Sequence, residues 1–189
     1  MLKVAIVGNI ASGKSTIENI LIQKGYKVFD TDKIAHVLLD ESKERLIKLF
    51  SQDILTNERI NREKLGKIVF ENSDKMKALE SIIHPKVKNK ILEIFNTLKE
   101  DIVFISVPQL FEANLDDLFD KIIFISAPKE IRLQRLIKRN NFDYQTALKR
   151  INAQDNESVK IQKSDYLVIN DKSIQDLEKE IEKILTNIY

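Results

Sequence analysis

The 189-residue sequence contains no cysteine. Disulfides and thiolate chemistry are thereby excluded. Only two histidines, His36 and His84, are present, and without a thiolate they do not make up a zinc site. The apolar runs fall far short of the ~18 residues that a membrane span needs. Met1-Leu2-Lys3 leads straight into a strand pattern with no signal-peptide character. A cytoplasmic protein with no membrane partner is therefore expected. Charge is also nearly absent in the net: 31 basic against 29 acidic residues leave +2, too little for a nucleic-acid footprint. Lysines interleave with acids, as in Lys43-Glu44-Arg45 and Glu178-Lys179-Glu180, the pattern of solvated helix faces. No repeat, low-complexity stretch or Pro/Gly linker interrupts the chain. Its length fits one domain with room for an inserted subdomain, and a 43% hydrophobic, 32% charged composition fits a soluble globular fold.

Glycine is scarce too, with four in the chain against a usual frequency of about 7%. Two of the four bracket Gly8-Asn9-Ile10-Ala11-Ser12-Gly13-Lys14-Ser15, which matches the phosphate-loop pattern G-x-x-x-x-G-K-[ST]. In so glycine-poor a composition the pattern arises by chance in roughly one chain per thousand. Glycine lets consecutive N–H groups turn inward toward phosphate oxygens. Lys14 reaches the β- and γ-phosphates as a point charge, Ser15 offers a hydroxyl to Mg²⁺, and the helix that starts here presents its positive end. The context agrees: 2–7 is a short apolar run suited to a buried parallel strand, and 15–24 reads as a helix closed by Gly25.

A second strand, 26–29, ends in Asp30-Thr31-Asp32. In open parallel sheets ligands lie beyond the carboxyl ends of strands, so these carboxylates fall near the phosphate loop. A carboxylate there can accept a hydroxyl proton during phosphoryl transfer, or hold Mg²⁺ through water. Asp32 also suits the N-cap of the helical pattern that follows, and both readings stand. Residues 42–99 read as helical throughout, with His84-Pro85 interrupting and a long helix beginning at Pro85. That block is far longer than the dozen or so residues an ordinary crossover needs, so it reads as an inserted helical subdomain for a second substrate. His84, taken alone, is a local structural residue.

Residues 102–107 and 121–126 are further buried strands, and 165–169 is a last, short one. No aspartate closes the 102–107 strand, so a metal must rely on Ser15, phosphates and water, with Asp30, Asp32 or Glu112 as further oxygens. Gln109 to Glu112 otherwise reads as a surface turn. Pro128 opens a helix bearing Arg132, Arg135 and Arg139, and a polar break at 140–143 leads to a helix with Arg150 and Gln154. A helix, hinge and helix carrying arginines suit a lid over phosphates; exposed arginines on an amphipathic helix are the plainer alternative. Five strands alternating with helices predict a three-layer α/β/α fold around a five-stranded parallel sheet. Its core would take about 1–32, 100–136 and 162–189, the insertion about 33–99 and the lid about 137–161.

The motifs together resemble the dephospho-coenzyme A kinase family over nearly the whole chain. The resemblance rests on Asp30-Thr31-Asp32-Lys33-Ile34-Ala35-His36, His84-Pro85-Lys86-Val87, Val107-Pro108-Gln109-Leu110-Phe111-Glu112, Arg150-Ile151-Asn152-Ala153-Gln154 and Asp165-Tyr166-Leu167-Val168-Ile169-Asn170. It implies a P-loop kinase that uses ATP and Mg²⁺ to phosphorylate the ribose 3′-hydroxyl of dephospho-CoA, as a monomer or small homo-oligomer. Asp32, Lys14 and Arg139 would be catalytic, with Asp30 supporting Asp32. Gly8, Ala11, Ser12, Gly13, Lys14, Ser15, Thr16, Arg135, Arg139 and Asn170 would bind ATP, Asn170 near its adenine and Ser15 at the metal. Asp30, Asp32, His84, Pro108, Leu110 and Glu112 would line the acceptor site. Asn9 and Ala11 stand where the family usually has small glycines, and Gln109 where it usually has leucine. Another small-molecule or nucleoside monophosphate kinase is the alternative on the same fold. A guanine-specific switch would carry Asn-Lys-x-Asp, and Asn89-Lys90-Ile91-Leu92 lacks the aspartate.

Overall fold

Leu2–Gly8 forms strand β1, and its side chains are buried from Val4 onward. Burial on both faces is what a central parallel strand requires. The computed structural model describes residues 1–154 and 157–188. β1 is followed by helix α1 (Lys14–Gln23), strand β2 (Lys27–Asp30), helices α2 (Thr31–Glu41) and α3 (Lys43–Phe50), strands β3 (Leu55–Thr56) and β4 (Arg59–Ile60), and helices α4 (Arg62–Phe70) and α5 (Ser73–Thr97). The chain continues through β5 (Ile102–Ser106), β6 (Lys121–Ser126), α6 (Lys129–Asn140), α7 (Tyr144–Asn152), α8 (Glu157–Gln162), β7 (Tyr166–Ile169) and α9 (Ile174–Asn187). It divides into two compact units, one of Met1–Asp30 with the chain from Lys99 onward, the other Thr31–Leu98.

The first unit is built on the five-stranded sheet β2-β5-β1-β6-β7, with every pairing parallel. Register places Ile6 opposite Ser106 on one side and Ile123 on the other. Alternate residues therefore share a face. Val4, Ile6, Phe104, Ile123, Ile125 and Val168 form one continuous core with Ile17 and Leu21 of α1 and Leu177, Ile181 and Ile184 of α9. The α/β class and the five parallel strands expected from the apolar runs are both present.

α1 ends in a left-handed turn. Gly25, at φ +90°, donates its N–H to Ile22 O at 2.9 Å, and Tyr26 N–H reaches Leu21 O at 3.0 Å. These two bonds satisfy carbonyls that the helix end would otherwise orphan. Tyr26 then packs edge-on against Phe104, with ring centroids 5.3 Å apart, and so fixes the entry into β2.

In the second unit α5 packs with α2 and α4. Two features differ from the sequence expectation. First, α5 runs unbroken for 25 residues with Pro85 inside it, rather than starting at Pro85. A mid-helix proline removes one hydrogen bond and costs about 3 kcal/mol. Ile82, Ile83, Val87, Ile91 and Ile94 are buried on both sides of it, and at about 1.5–3 kcal/mol per fully buried side chain their packing outweighs that cost. Second, β3 and β4 form an antiparallel hairpin around Asn57 and Glu58, both at positive φ. Two-residue strands carry no readable alternation, and a turn with Glu58 in a glycine-like conformation gives no sequence signal.

Side-chain caps hold the starts of α4, α5, α7 and α9, through Asn61, Asn72, Asp143 and Ser173. Asp143 accepts from Thr146 N–H at 2.8 Å at the start of α7. That bond, with the Thr146 hydroxyl, lowers its carboxyl below the ordinary carboxylate range. The capping contribution is thus present above that range and lost as pH falls through the lowered value. Gly25→Ala should destabilise the protein by about 1 kcal/mol, because a Cβ is disfavoured at this φ although nothing lies near enough to clash. Gly25→Asn should cost less. Urea denaturation of the two variants checks this.

Candidate active site

The carboxyl end of β1 runs into the loop 9–13 and then into α1. Gly13 caps α1 at φ +103°, ψ +24°. Thr16 N–H donates to Gly13 O at 3.0 Å, and Ser12 N–H closes a turn onto Asn9 O at 3.1 Å. Lys14, half-buried, lays its Nζ 2.6 Å from Gly8 O, across the mouth of the loop. Ser15 is exposed in the first turn of α1. The elements a phosphate site requires, a backbone loop, a lysine across it and a helix N-terminus, are thus in place together.

The carbonyl side of the loop is held from outside. Arg135 of α6 donates through Nη1 to Ala11 O (3.5 Å) and Ser12 O (3.3 Å), and through Nη2 to Asn170 O (3.1 Å) and Oδ1 (3.3 Å). Asn170, at the end of β7 and 6% exposed, donates Nδ2 to Ser12 O at 2.8 Å. Both residues were expected at the nucleotide; here their polar atoms engage the loop itself. An ideal Cβ on Gly13 would sit 1.9 Å from Asn170 Nδ2. Gly13 therefore answers two demands, a positive φ and the close passage of a side-chain amide.

Asp30 closes β2 opposite Ser106 of β5. β5 also neighbours β1, so Asp30 lies at the same edge of the sheet as Gly8. Asp32 lies in the first turn of α2, in the second unit, and is exposed. In that unit His84 lies mid-helix in α5, and the Arg62 guanidinium contacts the His36 ring at 2.7–2.8 Å. Pro108 follows β5. Leu110 is fully buried, so its side chain belongs to the core. Glu112 pairs with Lys160 of α8 at 2.5 Å. Arg139, at the end of α6, is exposed and donates Nε to Asn140 Oδ1 at 2.9 Å.

Sequence reasoning missed Glu157. Its Oε1 accepts from the Ser126 hydroxyl, and its Oε2 from Asn9 Nδ2 (3.3 Å) and Arg132 Nη2 (3.2 Å). Gln154 Oε1 accepts the Ile10 N–H at 2.6 Å. No local pattern marks these contacts, because more than 140 residues separate Gln154 and Glu157 from the loop. Among the described residues no group of three or more His, Asp or Glu is placed to hold a metal ion. The Ser15 hydroxyl is exposed in the first turn of α1, and the Asp30 carboxylate closes β2 at the same edge of the sheet. That set suits Mg²⁺, which keeps several waters and binds through few protein oxygens plus substrate phosphates.

A parallel sheet with a Gly-Lys-Ser loop between its first strand and helix defines a P-loop kinase fold. The shikimate kinase from Bacteroides thetaiotaomicron shares that fold, with TM-score 0.59 over 98% of each chain at 13% identity. The family model described as dephospho-CoA kinase matches residues 2–176. A dephospho-CoA kinase of Fusobacterium nucleatum is 37% identical over 98% of this chain and 97% of its own length. The structure of the dephospho-CoA kinase from Campylobacter jejuni gives TM-score 0.76 at 36% identity, over 98% of this chain and 96% of that one. The chain belongs to the dephospho-CoA kinase family.

Gly13→Ala should weaken ATP binding by about tenfold or more, from the clash with Asn170 and the strained φ together. Adding Asn170→Ala should recover at most part of the loss, since it relieves the clash but leaves the strained φ and removes the Nδ2 bond to Ser12 O. Equilibrium nucleotide titration of the three proteins checks this; wild-type affinity in Gly13→Ala would contradict the loop geometry.

Proposed function

We propose that this chain transfers the γ-phosphoryl group of ATP to the ribose 3′-hydroxyl of dephospho-CoA, giving coenzyme A and ADP, the last step of coenzyme A biosynthesis. The observation that carries the reading is the Lys14-spanned loop, with its carbonyls turned onto Arg135 and Asn170, in a chain that the family model covers from residue 2 to 176. Lys14 and the loop amides bind the triphosphate. Ser15 would hold Mg²⁺, which when bound neutralises charge on the phosphate oxygens. The Asp32 carboxylate accepts the proton of the 3′-hydroxyl as its oxygen bonds to the γ-phosphorus. The bond to the bridging oxygen breaks in line, and ADP leaves.

Asp30, two residues earlier, supports Asp32. The unit Thr31–Leu98 receives the acceptor, with His84 in it. Pro108 and Glu112 belong to the acceptor side through the loop after β5. Arg139 serves the transferring phosphoryl group from the lid, 137–161, of which 155–156 lie outside the described residues. Positioning and charge neutralisation dominate such a transfer. No helix among the described residues is long and apolar enough to cross a membrane, and the reaction is assigned to the cytoplasm.

ADP release should require dephospho-CoA and should not respond to AMP, CMP or shikimate at equal concentration. A coupled ADP assay checks this, and release with AMP or shikimate in place of dephospho-CoA would overturn the substrate assignment. Asp32→Asn should lower kcat by about 10²–10⁴-fold with a small change in KM for ATP. An unchanged kcat would reject Asp32 as the proton acceptor.

A further inference from the structure

Three details of the loop share one location. The Ile10 N–H is taken by Gln154 Oε1 at 2.6 Å. Asn9 is 2% exposed, and its carboxamide reaches Glu157 Oε2 at 3.3 Å. Ile10 and Ala11 pack against a cluster formed by Leu136 of α6 with Ala147 and Ile151 of α7. Asn9 is thus held through its side chain by Glu157 at the start of α8, and Ile10 through its backbone donor by Gln154 and through its side chain by the α6–α7 cluster.

Glu157 is itself firmly held. It accepts from Ser126 at the end of β6 and forms an ion pair with Arg132, whose side chain is 8% exposed. A carboxylate fixed by a neighbouring strand and a buried guanidinium cannot swing freely, so Asn9 is offered one acceptor position. Asn9 is the residue that makes the contact possible: a glycine at this position would have no side chain to reach Glu157.

We propose that Gln154 and Glu157 are positioning residues for ATP: acting through Ile10 and Asn9, they set the shape of the phosphate loop, so that nucleotide affinity depends on these two side chains. The inference deepens the kinase reading and rests on it only for the catalytic readouts. ATP binding itself is measured without acceptor.

Gln154→Ala should raise the Kd for ATP about fivefold, the effect of one lost neutral hydrogen bond. KM for dephospho-CoA should stay within about twofold. Gln154→Glu keeps an oxygen acceptor for the Ile10 N–H and should restore most of the affinity. Asn9→Gly should weaken ATP binding by a similar factor. Glu157→Gln leaves Arg132 with a neutral partner and is expected to lower Tm; in the Asn9→Gly background it should add nothing further to Kd. Isothermal titration with ATP, alongside Tm for each variant, reads these outcomes. Unchanged Kd in Gln154→Ala and Asn9→Gly, with only Tm lowered, would overturn the proposal and leave a purely structural contact. Failure of dephospho-CoA to stimulate ADP release, with the Kd pattern intact, would fault the substrate assignment and not this inference.

Discussion

A loop of backbone can bind an anion only if its carbonyl oxygens are committed elsewhere. In this protein the Ala11 and Ser12 carbonyls are turned toward Arg135 and Asn170. Each carbonyl left facing the site would oppose a phosphate oxygen with a partial charge of like sign. The clamp is built from elements that the sheet brings together: β1 supplies the loop, β7 supplies Asn170, and α6 supplies Arg135. The sheet order β2-β5-β1-β6-β7 is therefore also the geometry of the site. A change in Arg135 or Asn170 therefore reaches the loop directly.

The parts of this arrangement that sequence could reveal are those with a local signature. The parallel strands were legible because 2–7, 102–107 and 121–126 are unbroken apolar runs, as burial on two faces requires. The phosphate loop was legible because glycine is rare here and two of four fall at the required spacing. Gly25 was legible as a helix end for the same reason. What stayed hidden is tertiary. Arg135 and Asn170 could be placed near a nucleotide, but not assigned to the loop carbonyls, since helical spacing says nothing about what a guanidinium meets. Glu157 carries no motif, and its partners Ser126, Arg132 and Asn9 come from three separate segments. Pro85 misled for the converse reason. Its local preference is to start a helix, and the buried isoleucines and valine on either side overrule it.

Ala11 shows by magnitude what sets the loop's conformation. It sits at φ +60° without being glycine, a region that costs an L-residue roughly 1–2 kcal/mol. Its methyl packs beside Ile10 against Leu136, Ala147 and Ile151, and burying one such carbon returns about 0.8 kcal/mol. The two terms nearly cancel, so Ala11 alone neither favours nor forbids the observed turn. The balance is tipped by directed bonds: Arg135 onto the Ala11 and Ser12 carbonyls, Asn170 onto Ser12, and Gln154 onto the Ile10 amide. Each such bond contributes on the order of 1 kcal/mol, and together they exceed what remains of the strain. A glycine at position 11 would adopt the same φ without help, but it would also leave it freely, and the cluster would lose a contact. The loop's shape is therefore imposed by α6, α7 and β7 rather than stored in its own sequence, which is why all four positions between Gly8 and Gly13 can be non-glycine in a chain that still presents a phosphate cradle.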